Sequence, residues 1–251
     1  MDIGTAKPTS EERAKAPHSM IDLIEPEDEM TVAEFQRLAR KGISEWDGPV
    51  VIAGGSGLHF RGIVDPLEFP PCDAEIRNDL EKADLAELVQ ELLDSDPLAG
   101  ENTDLRNPRR VIRSVEILRL TGETPSSRAR QGSARQVKEY RSVYDLRVVG
   151  IDPGERIQDR IRARLKKMRD MGLLDEVAGL VGHLGRTASQ AVGYKELVDV
   201  VAGRITEDEG FARVEAASIA LVKRQRTFFR RDPRIMWVLN AREALDALRP
   251  V

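Results

Sequence analysis

The stretch that most constrains the fold is residues 49–60, PVVIAGGSGLHF. Val50, Val51 and Ile52 are β-branched and Ala53 extends the apolar run. Without polar alternation, such a run predicts a parallel strand buried on both faces. It breaks off at Gly54-Gly55-Ser56-Gly57. Glycines in that place let the backbone approach a ligand closely, and loops at the carboxyl ends of strands are where open α/β sheets bind ligands. Ser56 offers a hydroxyl there. Taken alone, the same residues also fit a tight strand-to-helix turn with no ligand.

Two more short apolar runs, at 146–151 and 235–239, predict further strands. Between the runs the pattern is helical. Thr31 with Glu34, Asp84 with Glu87 and Thr206 with Glu209 have the spacing of a capping box. Asn107 and Pro108 suit the N-cap and N1 positions of another helix, and Gly122 its C-terminal end. On that helix Val111, Val115 and Leu118 point one way, while Arg110 and Arg113 share another, exposed face. Asp152 heads a helix whose stripe is Ile157, Ile161, Leu165 and Met168. Strand, helices, strand, helices, strand predicts a parallel α/β sheet. Residues 122–142, with Arg128, Arg130, Arg135, Lys138 and Arg141, read as a basic loop to which no function is assigned.

Charge narrows the function. The net charge of −4 argues against a general polyanion binder, yet the cations are grouped. Arg106, Arg109, Arg110 and Arg113 form one acid-free cluster; Lys223, Arg224, Arg226, Arg230 and Arg231 form another. Such clusters on an acidic chain point to a directed anion site, the plainer alternative being solvated helix faces. A single cysteine, Cys72, excludes an internal disulfide. His18, His59 and His183 show no metal-ligand spacing, and no apolar run approaches the ~18 residues of a membrane span. A reducing cytoplasm fits these features.

Five blocks, MDIGTAKP, GGSGLHF, NPRRVIRSVEI, QAVGYKE and KRQRTFFRR, occur in this order along nearly the whole chain. Together they resemble the bacterial tRNA dimethylallyltransferases, the isopentenyltransferase family. The resemblance implies a nucleotide-binding (ATP-binding) P-loop-kinase-like α/β core, here 1–69 and 141–251, with a helical insertion at 70–140. It implies transfer of a dimethylallyl group from dimethylallyl diphosphate to N6 of the adenosine 3′ of the anticodon, with Mg²⁺, by a cytoplasmic monomer without membrane contact. Ser56 stands where the family usually has a threonine that contacts the reacting groups. Arg77 matches an arginine near the tRNA. Arg109, Arg110, Val111, Ile112 and Arg113 match a tRNA-contacting segment. Lys223, Arg224, Gln225, Arg226, Thr227, Phe228, Phe229 and Arg230 match the segment lining the channel through which the adenosine enters. Diphosphate binding falls to Ser56, Arg110 and Arg113.

The chemistry suits these residue types. Arginine forks stabilise the charge of a departing diphosphate, and backbone phosphates need cations for affinity. Phe228 or Phe229 would hold an extruded base, although plain core packing explains them as well. Three departures stand against the family pattern. The first strands, the G-x-x-x-x-G-K-[ST] phosphate loop and the aspartate taken as general base have no counterpart in these residues. The expectation is that the 251 residues alone are inactive and that the encoded protein is longer. Ile219 replaces a common arginine, and His59 a tyrosine. Two other readings are a non-catalytic tRNA-binding relative and an isopentenyltransferase acting on a free adenine nucleotide.

Overall fold

The computed structural model describes residues 1–249. The chain divides into two compact units, Met1–Ile63 with Leu146–Val251, and Val64–Asp145.

In the first unit β1 (Val148–Ile151) and β2 (Ile235–Val238) pair in parallel, Val148 opposite Ile235 and Ile151 opposite Val238. Parallel strands require a long crossover. Here it consists mainly of the helices Ile157–Asp170, Leu173–Leu180, Tyr194–Val201 and Glu207–Phe229. The stripe predicted from spacing is buried at Ile161, Leu165 and Met168, which pack with Leu173, Val177, Tyr194, Leu197, Phe211 and Val214. Each such side chain contributes about 1.5–3 kcal/mol on burial. The core therefore sits in the crossover, and neither strand is fully buried. The Thr206 capping box forms: Thr206 Oγ1 accepts from the Glu209 N–H at 3.3 Å, and the Glu209 carboxylate accepts from the Thr206 N–H at 2.8 Å.

The N-terminal residues are tied into this core by one carboxylate. Glu176 accepts hydrogen bonds from the N–H groups of Asp2 (2.6 Å), Ile3 (2.9 Å) and Gly4 (3.1 Å), and from the Tyr194 hydroxyl at 2.5 Å. Burial pushes the Glu176 carboxyl up, but these donors outweigh it and hold the group below its ordinary value. A Cβ on Gly4 would lie 2.5 Å from the Tyr194 ring, so only glycine fits. The MDIGTAKP and QAVGYKE blocks thus meet at Glu176.

Residues 50–53 are not a strand. They have no ladder partners, and Val50, Val51 and Ile52 are exposed, Val51 by 82%. An apolar run becomes a strand only beside another strand, and none of the described residues pairs with it.

The second unit is helical. Ala74–Lys82, Leu85–Ser95 and Pro108–Thr121 enclose a core of Leu80, Leu88, Leu92, Ala99, Val111 and Val115. Asn107 caps the last of these helices by accepting from the Arg110 N–H at 3.4 Å, and Gly122 ends it at φ +73°. Residues 122–142 are not a loop throughout. They contain the helices Pro125–Ala129, with Thr124 as cap, and Gly132–Lys138. Both are too short for periodicity to reveal.

Candidate functional site

In the first unit the glycine stretch opens onto a cavity of about 670 Å³. Residues 51–56, β1, Asp152, Gln225, Arg226 and Phe229 are among its lining groups. Its volume lies within the ~300–1,000 Å³ of sites that enclose small molecules. Two blocks far apart in sequence, GGSGLHF and KRQRTFFRR, converge here.

The glycines have a structural reason. A Cβ on Gly55 would lie 2.4 Å from Gln225 Nε2, and one on Gly57 2.2 Å from the Phe228 ring; nothing lies within 4 Å of one on Gly54. Gly55 and Gly57 therefore admit the Glu207–Phe229 helix, and the Gly55 carbonyl accepts from Gln225 Nε2 at 3.0 Å. The helix Gly57–Val64 begins at this point. Gln36 Nε2 donates to the Gly62 carbonyl at 2.8 Å and Arg40 Nε to that of Ile63 at 3.0 Å, which satisfies carbonyls at its end.

Ser56 Oγ lies 2.7 Å from His59 Nδ1, one turn along that helix. The Phe35 ring meets His59 edge-on at 4.7 Å. Burial pulls the His59 pKa down, so the imidazole is neutral near pH 7 and serves as acceptor or donor to the serine according to its tautomer. Nothing in the sequence reading singled out this pair, although the i, i+3 spacing on a helix contained the signal.

The second basic cluster divides by partner. Arg226 Nη2 donates to Asp152 Oδ1 and, at 3.0 Å, to the Gly154 carbonyl; Arg230 reaches Asp152 Oδ2 at 3.4 Å. Burial pushes the Asp152 carboxyl up, but the Gly154 N–H and the two arginines hold it down. Lys223 and Arg224 are exposed and have no carboxylate within ion-pair distance among the described residues. Thr227 Oγ1 donates to the Lys223 carbonyl at 2.9 Å, and its hydroxyl proton is thereby used within the helix. Phe229 faces the cavity and stacks edge-on with Phe60 at 6.0 Å, whereas Phe228 covers Gly57 and is 40% exposed.

The first cluster, in the second unit, divides the same way. Arg109 and Arg110 are exposed, Val111 is fully buried and Ile112 partly so. Arg113 does not share the exposed face expected for it. Its guanidinium donates to the carbonyls of Pro70 (2.6 Å) and Pro71 (2.9 Å) and to Glu116 Oε2 at 2.5 Å. Arg77 Nη2 donates to the same oxygen at 2.6 Å, and the Asp73 N–H to Glu116 Oε1 at 3.0 Å. Glu116 is fully buried. Burial pushes its carboxyl up, yet the two arginines and the Asp73 N–H keep it below its ordinary value. Arg77 and Arg113 are thus half-buried partners of one buried carboxylate.

No group of three or more His, Cys, Asp or Glu side chains suited to a metal occurs among the described residues, and no helix there is long and apolar enough to cross a membrane.

Residues 1–232 match the family described as IPP transferase. The chain is 40% identical to a tRNA dimethylallyltransferase of Bifidobacterium longum over all of its own length and 74% of that protein. It is also 40% identical to a tRNA dimethylallyltransferase of Streptomyces avermitilis, over 99% of this chain and 80% of that one. Among solved structures, the tRNA isopentenylpyrophosphate transferase of Bacillus halodurans superposes with a TM-score of 0.63 at 30% identity, covering 98% of this chain and 80% of that one. That of Staphylococcus epidermidis gives 0.62 at 28%, covering 98% and 83%. A match along almost the whole chain, with the same α/β architecture, leaves one conclusion: the chain belongs to the IPP transferase family.

Proposed function

We infer that the protein is a tRNA dimethylallyltransferase, moving a dimethylallyl group from its diphosphate to N6 of the adenosine 3′ of the anticodon. The observation that carries this reading is the convergence of the Ser56 loop, Arg226 and Phe229 on one cavity, in a chain of this family.

Each part of the reaction has a residue suited to it. The C–O bond to diphosphate breaks as the N6–C bond forms, the displaced N6 proton passes to a base, and negative charge gathers on the leaving group. Arg226, fixed by Asp152 at the cavity wall, is the cation placed to meet that charge. Arg113 is not among the groups lining this cavity and is committed to Glu116 and the 70–71 carbonyls, whereas Arg226 lines it, so the diphosphate role expected of Arg113 passes to Arg226. The Ser56 hydroxyl, held by His59, hydrogen-bonds the reacting groups. Phe229, with Phe60 behind it, is a face on which an unstacked adenine rests, offsetting the few kcal/mol that extrusion costs. Arg109, Arg110, Lys223 and Arg224 are exposed cations for backbone phosphates, which give affinity and not base identity.

Mg²⁺ belongs with the diphosphate in this reading, since it binds through substrate phosphates and one or two carboxylates. Asp152 is the carboxylate of the cavity lining; its Oδ1 accepts from Arg226 and the Gly154 N–H, and its Oδ2 from Arg230 at 3.4 Å. The lining therefore builds no magnesium cage of its own.

Binding measurements separate this function from action on a free nucleotide. A labelled anticodon stem-loop RNA with adenosine 3′ of the anticodon should bind, and its affinity should fall linearly on a log–log plot against salt, at about 0.7–0.9 per phosphate contact. Millimolar AMP should compete little. Tight AMP binding without stem-loop binding would replace this reading with the free-nucleotide one.

A further inference from the structure

The second unit has a cavity of its own, about 270 Å³, between the Pro108–Thr121 helix and the basic stretch 122–142. Arg128, Lys138, Thr103, Ser114, Asn102 and Glu123 line it. It is smaller than sites that enclose whole small molecules, so it suits a chemical group rather than a molecule.

Its charge is unbalanced. The Arg128 side chain is only 33% exposed, and its Nε meets Glu123 Oε2 at 4.0 Å, the limit of an ion pair. Glu123 also accepts from Gln131 Nε2 at 2.8 Å. Burial pulls the Arg128 pKa down, which is the mark of a cation whose lost hydration is poorly replaced. Lys138 has no ion pair among the described residues. Two cations against one carboxylate leave a single positive charge. Thr103 Oγ1 and Ser114 Oγ lie 3.2 Å apart, and such a hydroxyl pair uses one proton internally and keeps one to donate.

We propose that this cavity binds one phosphate of the substrate RNA backbone, with Arg128 and Lys138 as its cations and the Thr103–Ser114 pair as its hydroxyl donor. The inference rests on the function proposed above. A phosphodiester carries one negative charge, matching the excess in the cavity, whereas free phosphate at neutral pH carries more. The basic stretch 122–142 then has a use: its two short helices close a phosphate site.

The test compares the parent with Arg128→Gln, Lys138→Ala and Arg135→Ala, each checked for folding by circular dichroism. Arg135 is the charge control, since it is exposed, pairs with Glu139 and does not line the cavity. In anisotropy titrations of the stem-loop RNA, Arg128→Gln and Lys138→Ala should each weaken binding about tenfold, as loss of one charged hydrogen bond does. Each should also lower the salt slope by about one contact, with Arg135→Ala within about twofold of the parent. A parallel arm titrates inorganic phosphate alone by ³¹P line broadening. If both variants lose inorganic phosphate but keep the parent's RNA affinity and slope, the site is one for the free ion and the proposal is overturned. It is equally overturned if the parent binds RNA and both variants behave like Arg135→Ala. Failure of the parent to bind the stem-loop would instead remove the proposed function, and this inference with it.

Discussion

Arg113 stands three residues before Glu116, and on a helix that spacing lays the guanidinium over the carboxylate. Glu116 lies next to Val115 on the buried side, which was the available sign that Arg113 would be drawn inward. Removing either arginine leaves a buried carboxylate with one fewer charged partner. Arg77→Ala or Arg113→Ala should therefore each cost about 1.5–3 kcal/mol in urea unfolding, whereas Arg110→Ala, on an exposed side chain, should cost less than about 0.5 kcal/mol. Unchanged midpoints for Arg113→Ala would show that its contacts carry no weight. The pH dependence has a definite sign. Glu116 is held below its ordinary value, so its contribution is complete above the unfolded glutamate pKa of about 4.3 and is lost as pH falls through the lower native value. In Glu116→Gln the loss of stability on acidification should be shallower than in the parent. Ser56 has a different signature, because its hydroxyl meets His59 at the cavity and supports no core. In a full-length version of the protein, Ser56→Ala should slow single-turnover dimethylallyl transfer about 10- to 100-fold, the equivalent of one charged hydrogen bond, and Ser56→Thr should stay close to the parent. Equal rates for both variants would make Ser56 a turn residue only.

Elements were legible where their ends carry their own chemistry. Thr206 with Glu209, Asn107 with Pro108, and Gly122 mark boundaries that the structure keeps, because caps act within a few residues. Elements defined by distant partners were not. The 50–53 run has strand composition but no paired neighbour, and β1 finds β2 across more than eighty residues. Asp152 was read as a helix cap. It does not cap that helix, which starts at Ile157 without a side-chain cap; it accepts from the Gly154 N–H at 3.0 Å and anchors Arg226, a contact that joins residues 74 apart and leaves no local trace. Amide hydrogen exchange tests the element assignment directly. The amides of residues 50–53 should exchange at nearly unprotected rates, while the ladder amides of β1 and the interior of the Pro108–Thr121 helix should be protected. Protection at 50–53 equal to that of β1 would mean that the run is paired after all.

At the scale of the molecule, an acidic chain carries exposed cations without an ion pair among the described residues on several elements, among them Arg109 and Arg110 in one unit and Lys223 and Arg224 in the other, and also Arg160, Arg164, Lys166 and Lys167 on the Ile157–Asp170 helix. Net charge argued against nucleic acid, and only the grouping of arginines and lysines argued for it. The grouping overstated the case as well, since Arg113 is held by Glu116. The family was legible because its blocks lie in order along the sequence. The cavity they build was not, because it depends on Gln225 and Phe228 fitting against Gly55 and Gly57. The central claim is that this protein prenylates the adenosine next to the anticodon of tRNA, and cellular tRNA records that directly. Inactivating its gene in the source organism and digesting bulk tRNA for mass spectrometry of nucleosides should show loss of N6-dimethylallyladenosine and its derivatives, with restoration by the intact gene. Unchanged levels of that nucleoside would contradict the account.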